Sequence, residues 1–311
     1  MYKETKIFYI HNISPMHVGS GQDLGIVDMP IQRESHTNYP KIEGSSLKGS
    51  IREAFENSGK DEIKIHLVFG YDETNASEKA KEVFKEKGQY AGAIGFSDAR
   101  ILLFPVKSVK GTFAWITCPY VLKRFKKDLE ICEVKRTFEI PNENTITEDS
   151  KIKVDEDKNV VILEEYSFSN VCKDEKTTEL AKFLAKEIGI EEIKEKLIVV
   201  EDDVFKDFVT QFTEVITRTK IDNSTGTVKD GALFTEEYLP AESVMYSLAM
   251  ASPVFAPIEE KYKEELKSEE DVLNFFKECP NVIQIGANAT IGKGVCEIIN
   301  NENSKDNNEQ K

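Results

Sequence analysis

A glycine-rich segment near the start of the chain carries the residues best suited to chemistry. Residues 17–33 read HVGSGQDLGIVDMPIQR. Glycine lets the backbone approach a ligand closely, and freed amide groups can bind phosphate. Asp28 lies between Val27 and Met29, where a lone carboxylate needs a reason. It can hold Mg²⁺ or orient a ribose 2′-hydroxyl. The structural alternative is an Asx turn or a helix cap.

His17 is a candidate for acid–base chemistry near Asp28, and Glu236, Glu237 and Tyr238 give a weaker signal. His17 opens the glycine-rich segment, and Glu236 and Tyr238 follow a threonine-rich stretch. An imidazole titrates near neutral pH and can act as an acid or a base. The alternatives are a histidine that only donates a structural hydrogen bond and carboxylates that only face water. The residues alone leave both possibilities open.

Basic residues recur in pairs near glycine loops. Each pair alone is typical of a solvated surface, but their proximity to glycine loops favours phosphate binding. A second loop, Gly292-Lys293-Gly294, lacks the GxxxxGK[ST] pattern, so nucleotide triphosphate hydrolysis is not supported. The pairs are Lys48 with Arg52, Lys107 with Lys110, and Arg218 with Lys220.

Composition excludes several classes of protein. The 311 residues include five cysteines that form no CxxC pair and four histidines without metal-ligand spacing. We therefore expect reduced thiols in the cytoplasm and no transition-metal site. No apolar run approaches the ~20 residues of a membrane-spanning helix, so we expect no membrane association.

The net charge of -15 argues against nucleic acid at first sight, but the charge is unevenly distributed. Residues 100–127 contain seven basic side chains and no acidic one, whereas residues 139–166 contain nine acidic side chains against three lysines. Acidic insertions can therefore coexist with a basic working face.

The elements that position these residues predict an α+β protein with helices on one face of a sheet. Residues 5–13 alternate as a strand, and Ser45 or Ser46 is expected to cap a helix. Residues 56–90 are predicted to be a charged helical insertion on the surface. Residues 213–239 predict a hairpin around 222–226. The polar residues 300–311 predict a disordered tail.

Several motifs, in order along nearly the whole chain, identify a resemblance. They are residues 17–33, GSSLKG at 44–49, FSDARILLFPVKS at 96–108 with GTFAW at 111–115, GALFTEEYLP at 231–240 and IGANATIGKG at 285–294. This pattern resembles the RAMP superfamily of CRISPR proteins. More narrowly, it is similar to the repeated backbone subunit of the type III-B Cmr effector complex.

The resemblance implies a ferredoxin-like (RRM-like) core in one domain over residues 1–299. Insertions at 56–90 and 128–212 lie within or around this core, and residues 213–239 form a protruding β-hairpin thumb. It further implies that several copies stack along one CRISPR RNA beside other Cmr subunits. Each copy is then expected to cut the paired, single-stranded target RNA at regular intervals.

The resemblance also assigns roles to residues. It implies that Asp28 is catalytic, with supporting roles for His17, Glu236 and Tyr238, and we expect Mg²⁺ or Mn²⁺ at Asp28. Two alternatives remain: a structural guide-binding subunit that does not cut, and a separate guide-processing nuclease with His17 as base. The expected RNA-binding residues are Gly19, Ser20, Gly21, Arg33, Ser46, Lys48, Arg52, Lys107, Lys110, Arg218, Lys220, Gly292, Lys293 and Gly294.

One position departs from the family pattern. The last glycine loop of the family often carries an acid before Thr-Ile-Gly, whereas this chain has Asn288 and Ala289. If that acid matters in the family, the local contact is altered here.

Overall fold

The computed structural model describes residues 4–22, 25–85, 88–155, 159–229, 232–256 and 258–300. The helices of this part are α1 Gly44–Asn57, α2 Glu62–Phe69, α3 Glu78–Phe84, α4 Pro119–Ile131, α5 Glu175–Ile188, α6 Ile193–Lys196, α7 Asp202–Gln211 and α8 Glu269–Lys277. The strands are β1 Glu4–Asn12, β2 Lys41–Ile42, β3 Gly70–Asp72, β4 Gln89–Ala91, β5 Ile94–Phe96, β6 Ala99–Lys107, β7 Phe113–Thr117, β8 Thr145–Ile146, β9 Lys153–Asp155, β10 Val160–Leu163, β11 Tyr166–Phe168, β12 Cys172–Lys173, β13 Leu197–Val199, β14 Glu214–Arg218, β15 Phe234–Tyr238, β16 Val244–Ala251, β17 Val282–Gln284 and β18 Val295–Ile299.

A large mixed sheet organises the chain. Its strand order is β12-β8-β13-β7-β6-β16-β1-β18-β17, with β2 paired to β6 and β5 paired to β16. The pairs around β1 and β16 are antiparallel, whereas β13 with β7 and β12 with β8 are parallel. The apolar run after Ser243 forms β16 in the middle of this sheet, as its composition predicts.

Helices cover both faces of the sheet, so the prediction of helices on one face is wrong. Neighbouring residues of a strand point to opposite faces. Phe8 packs edge-to-face on Phe276 of α8, with ring centroids 5.2 Å apart, whereas the next residue, Tyr9, packs on Phe125 of α4 at 6.2 Å. Both faces of β1 are therefore buried. Full burial of each such ring contributes about 1.5–3 kcal/mol.

The first helix begins earlier than its sequence signals predict. Leu47, Ile51 and Phe55 lie one turn apart and are buried, as expected. The predicted serine caps are wrong, because α1 already starts at Gly44. The amide of Gly44 donates to Oδ1 of Asp98 at 2.9 Å, so a carboxylate from the β5–β6 connection satisfies the helix start.

Residues 56–90 contribute to the core, which corrects the prediction of a surface element. Helix α2 buries most of its side chains, and Phe69 packs on Phe55 of α1 with centroids 5.2 Å apart. Beyond it, Tyr71 and Phe84 stack at 4.2 Å. The lysines and glutamates on α2 and α3 are half-buried or exposed, so their number in the sequence did not reveal the apolar residues that these helices bury.

A two-stranded antiparallel ribbon, β14 with β15, follows α7 and matches the hairpin predicted for residues 213–239. It continues past β14 to a bridge between Ile221 and Val228, and residues 230–231 lie outside the described part. The predicted tail, beyond Asn300, also lies outside it. Among the described helices none has the length and apolar composition that a membrane span requires.

Candidate active site

The predicted functional residues gather around strand β15. The loop over residues 25–31 runs beside it: the amide of Met29 donates to the carbonyl of Thr235, and the amide of Glu237 donates to the carbonyl of Met29, both at 3.0 Å. Alternation along β15 directs Thr235 and Glu237 to one side and Glu236 and Tyr238 to the other. The residues predicted to be catalytic therefore form two groups, one on each side of β15.

Asp28 forms the first group, and the neighbouring strand fixes its carboxylate at the surface. Its Oδ2 accepts hydrogen bonds from the Thr235 amide at 2.7 Å and from the Thr235 hydroxyl at 2.8 Å. Hydrogen bonds from the amide and hydroxyl of Thr235 hold the pKa of the Asp28 carboxyl below its usual value. The side chain is exposed, and Ile26 beside it is 100% exposed. A fixed, ionised carboxylate therefore faces solvent.

The residues around Asp28 do not fit a metal centre held by the protein alone. Within the described ranges, no group of three or more histidine, cysteine, aspartate or glutamate side chains could hold a metal ion. Mg²⁺ commonly keeps several waters and takes one or two carboxylates together with substrate phosphates. Asp28 offers one carboxylate, and its Oδ2 already accepts two hydrogen bonds.

The second group is a buried polar network on the opposite side of β15. Glu236 is 4% exposed and Tyr238 is fully buried. The Tyr238 hydroxyl donates to Oε2 of Glu236 at 2.5 Å, and Nδ2 of Asn288 donates to Oε1 at 2.7 Å. Arg218 places its Nε 2.5 Å from Oε2 of Glu236 and donates from Nη2 to the Tyr238 hydroxyl. The network joins both strands of the ribbon to the loop over residues 285–294, which is called the C-terminal loop below.

These partners keep Glu236 ionised despite its burial. Burial raises the pKa of Glu236, but the hydrogen bonds from Tyr238 and Asn288 and the charges of His17 and Arg218 outweigh it, so the pKa lies below its usual value. For Tyr238, burial and the bond to Glu236 raise the phenol pKa. Glu236 therefore stays a carboxylate and Tyr238 a neutral phenol, so the phenol can donate its hydrogen bond to the carboxylate.

His17 contacts both the network and the backbone of β15. Its Nδ1 donates to the carbonyl of Glu237 at 2.6 Å, which leaves Nε2 facing Oε1 of Glu236 at 3.9 Å. His17 is 5% exposed, and its carbonyl accepts the amide of Ala287 at 2.8 Å. At Gly286, with φ +85°, a Cβ would lie 2.3 Å from that carbonyl oxygen. The C-terminal loop therefore needs glycine there to approach His17.

The C-terminal loop contains the three predicted residues Gly292, Lys293 and Gly294, and also Asn288, which the prediction of the site omitted. Nζ of Lys293 lies 4.8 Å from the centroid of the Tyr238 ring. Gly294 packs so tightly that a Cβ would lie 2.0 Å from the carbonyl oxygen of Ile285, whereas at Gly292 a Cβ would meet open space. In the sequence, Asn288 stood out only because it departs from the family pattern. That departure was the signal that could have pointed to its place in the site.

Arg33 lies inside the fold, on the Asp28 side of β15. Its Nη2 donates to Oε1 of Glu237 at 2.5 Å, and its Nη1 donates to the carbonyls of Asn38 and Val209 at 2.8 and 2.9 Å. Glu237, 5% exposed, also accepts the amide of Ile31 at 2.9 Å. These contacts give Arg33 and Glu237 a structural task, and RNA binding by Arg33 stays a prediction.

The first glycine loop lies next to this site and is held by hydrogen bonds to Pro30 and Gln32, in the segment that follows it. The amide and hydroxyl of Ser20 donate to the carbonyl of Pro30 at 3.0 and 3.2 Å. Gln32 donates from Nε2 to the carbonyl of Gly19 and to the hydroxyl of Ser46, both at 3.3 Å. Gly21, with φ +107°, has open space around it. This loop therefore connects the Asp28 region to the start of α1.

The remaining basic pairs make contacts away from β15. On α1, Nζ of Lys48 donates to the carbonyl of Ile94 at 2.9 Å, and burial followed by the charge of Arg52 lowers the Lys48 pKa. Arg52 contacts Glu56 and donates to the carbonyl of Gly70 at 2.8 Å. Lys107 and Lys110 lie exposed on the β6–β7 turn.

Comparison with known proteins gives this arrangement a context. A CRISPR system Cmr endoribonuclease Cmr4 from Pyrococcus furiosus is 39% identical over 302 residues, which cover 93% of each chain. A CRISPR system CMR subunit Cmr4 from Saccharolobus solfataricus is 26% identical over 328 residues, which cover 96% of each chain.

Solved structures agree in fold. The crystal structure of oligomeric Cmr4 from Pyrococcus furiosus superimposes with a TM-score of 0.68 at 30% identity and covers 95% of this chain and 97% of that one. A chain of the type III-B Cmr-beta complex bound to cognate target RNA gives a TM-score of 0.69 at 22% identity, with 96% and 97% covered. The family model of the RAMP superfamily matches residues 9–297. The chain therefore belongs to the RAMP superfamily.

Proposed function

We propose that this chain is a backbone subunit of a type III-B Cmr effector complex, and that it binds CRISPR RNA and cleaves the target RNA paired with it. The similarity to a protein named as a Cmr endoribonuclease, at 39% identity over 93% of both chains, supports this assignment. The fold likeness to a Cmr-beta chain bound to target RNA agrees with it.

The observation that carries the catalytic part is the Asp28 carboxylate. It is exposed, ionised and held by Thr235 beside the ribbon. In RNA cleavage the ribose 2′-oxygen attacks the adjacent phosphorus, the bond from phosphorus to the 5′-oxygen breaks, and the proton leaves the 2′-oxygen while another reaches the 5′-oxygen. A fixed carboxylate can orient the 2′-hydroxyl and accept its proton.

This chemistry gives a 2′,3′-cyclic phosphate and a 5′-hydroxyl. DNA lacks the 2′-hydroxyl and is not expected to be cut. Mg²⁺ or Mn²⁺, if the reaction requires one, would be held mainly by RNA phosphates and water, because Asp28 supplies only one carboxylate. No step of the reaction is assigned to a metal held by the protein.

We propose that the core is ferredoxin-like. In that topology two βαβ units form a four-stranded antiparallel sheet. The run β18-β1-β16-β6 is antiparallel throughout, with α1 between β1 and β6 in the chain and α8 between β16 and β18. These features support the assignment.

The ribbon β14–β15 and its extension are proposed to be the thumb that enters the guide–target duplex. The ribbon region exposes apolar side chains, which suit contact with unstacked bases, and it carries the exposed Lys220 for phosphate contact. The exposed apolar residues are Val215, Ile221, Val228 and Leu233. A displaced target nucleotide would then lie near Asp28.

Assembly with further copies of this chain and with other Cmr subunits is part of the proposal. The relative from Pyrococcus furiosus crystallised as an oligomer, and the Cmr-beta structures are complexes. The five cysteines are free, which suits the reducing cytoplasm where such a complex would act.

The test compares Asp28→Asn with a matched substitution in the reconstituted guide complex. Asp174 is the control because its Oδ2 likewise accepts the amide and the hydroxyl of a threonine, Thr177, at 2.8 and 3.0 Å, and it lies outside the ribbon, at the start of α5. We expect Asp28→Asn to abolish the evenly spaced cuts while guide and target stay bound, and Asp174→Asn to cut normally. Cuts that survive in Asp28→Asn would make this subunit a scaffold without nuclease activity.

A further inference from the structure

We propose that Thr235 is the positioning residue that fixes the Asp28 carboxylate for cleavage, and that it thereby ties the catalytic loop to the ribbon. This inference rests on the proposed function. It adds a residue that the sequence analysis did not include among the site residues.

The two residues form a reciprocal set of hydrogen bonds. The Asp28 amide donates to Oγ1 of Thr235 at 3.0 Å, while that same hydroxyl donates to Oδ2 of Asp28 at 2.8 Å. The Thr235 amide adds a third bond to Oδ2 at 2.7 Å. One hydroxyl thus fixes both the backbone and the side chain of Asp28, which restricts the carboxylate to one orientation.

The loop around Asp28 offers little other support. Gly25 is exposed and Ile26 is 100% exposed, so these two residues do not pack into the core. Without the hydroxyl of Thr235, the side-chain torsions of Asp28 would be held by a single backbone amide. Misplacement of a reacting group by about 1 Å can cost about 100-fold in rate.

The other side of β15 explains why Thr235 is a firm support. The strand is anchored there by the buried Glu236 and Tyr238, which contact Arg218 on the paired strand. The loop carrying Asp28 is bonded to β15 on both sides of position 236, through the carbonyl of Thr235 and the amide of Glu237. A shift of the ribbon would therefore move Asp28 with it.

Three variants separate positioning from general effects on the ribbon. Thr235→Val keeps the shape and the backbone bond but removes the hydroxyl, and Thr235→Ser keeps the hydroxyl. Thr5→Val is the matched control, because Thr5 lies in strand β1, outside the ribbon, and the change likewise replaces a threonine hydroxyl by a methyl group in a strand. Valine favours strands, so none of these changes should unfold the ribbon.

The measurements are the single-turnover cleavage rate constant and the affinity for target RNA, both in the assembled guide complex. We expect Thr235→Val to lower the rate constant by about tenfold to 100-fold with target affinity unchanged. Thr235→Ser and Thr5→Val should cleave like the unmodified protein.

Each other outcome overturns the positioning role. Wild-type cleavage by Thr235→Val would show that the hydroxyl is dispensable, and equal losses of rate and affinity would indicate damage to the ribbon. A defect in Thr5→Val as large as that in Thr235→Val would show that the loss is not specific to position 235. If Thr235→Ser is as slow as Thr235→Val, the hydroxyl is not the cause. Asp28→Asn measured in parallel keeps the two proposals apart, because its activity tests the proposed function alone.

Discussion

The two sides of β15 hold acidic residues in opposite circumstances. On one side Asp28 is exposed and bonded to Thr235, while on the other side Glu236 is buried among Tyr238, Arg218 and Asn288. An exposed carboxylate with spare acceptor capacity can reach a ribose. A buried carboxylate with its oxygens already bonded cannot do so without breaking its network.

From this difference we expect the Asp28 side of β15 to contact the reacting RNA and the Glu236 side to hold the ribbon in place. Family resemblance places Asp28, His17, Glu236 and Tyr238 in one catalytic group, but burial divides them. Buried charges are stable only when paired, so the network around Glu236 should govern the stability and orientation of the ribbon. The exposed side should govern the chemistry. Each prediction below tests this division.

The largest expected effect on stability comes from Glu236→Ala. The substitution leaves the Arg218 guanidinium and the Asn288 amide without their buried acceptor, which should lower the free energy of unfolding by about 4 kcal/mol. Urea unfolding of the purified chain measures this change. Asp28→Ala is the control and should leave the unfolding midpoint unchanged. If both variants unfold at the same urea concentration, the division between the two sides of β15 is wrong.

Asn288→Asp is expected to have a smaller, pH-dependent effect. It would place a second carboxylate where Nδ2 now donates to Oε1 of Glu236 at 2.7 Å. Two carboxylates this close cannot both ionise easily, so one folded-state pKa rises. We expect the variant to be less stable than the wild type by about 2 kcal/mol at neutral pH.

The sign of the pH dependence follows from those pKa shifts. Because one pKa is raised in Asn288→Asp, the loss of stability relative to the wild type is fully present at neutral pH and becomes smaller as pH falls toward about 4. In the wild type the lowered pKa of Glu236 stabilises the fold above the ordinary carboxyl range, and that contribution is lost on acidification. Unfolding curves from pH 7 to about pH 4 should therefore converge. Asn170→Asp is the control, because Asn170 is exposed and its φ of +65° is close to the +67° of Asn288. Its unfolding curves should show no such convergence with those of the wild type.

Local patterns in the sequence predicted much of the fold. Alternation predicted β1, helical spacing predicted the buried face of α1, and the threonine-rich stretch predicted the β14–β15 ribbon. These features are short-range, so the sequence displays them directly. The helix start at Gly44 was missed because its partner, Asp98, is more than fifty residues away. Residues 56–90 were misjudged because lysines and glutamates outnumber the apolar residues that α2 buries.

The site was predicted by residue type but not by environment. Resemblance predicts a role for Asp28, whereas the contacts of Thr235 and Asn288 cross the fold, and no sequence spacing links either residue to its partner. Glu237, which the sequence does not distinguish from a carboxylate that faces water, is buried and accepts a hydrogen bond from Arg33. Charge and type are visible in a sequence, whereas burial of a charged group depends on which distant strand lies beside it.

The pair Arg218 and Lys220 shows this limit and gives the smallest predicted effect. Arg218 belongs to the buried network, whereas Lys220 is exposed on the extended ribbon.

The substitution Arg218→Ala would change stability and RNA binding together, so Lys220→Ala is the cleaner test of the RNA-binding face. If Lys220 neutralises one phosphate, its loss should reduce the slope of log affinity against log salt by about 0.9. Target binding titrated at several salt concentrations measures this slope. Lys182→Ala, on the exposed side of α5, removes an equal charge and should leave the slope unchanged. An unchanged slope in Lys220→Ala would remove this part of the ribbon from the RNA-binding face. The assignment of Asp28 would stand, because its test measures the loss of cleavage while guide and target stay bound.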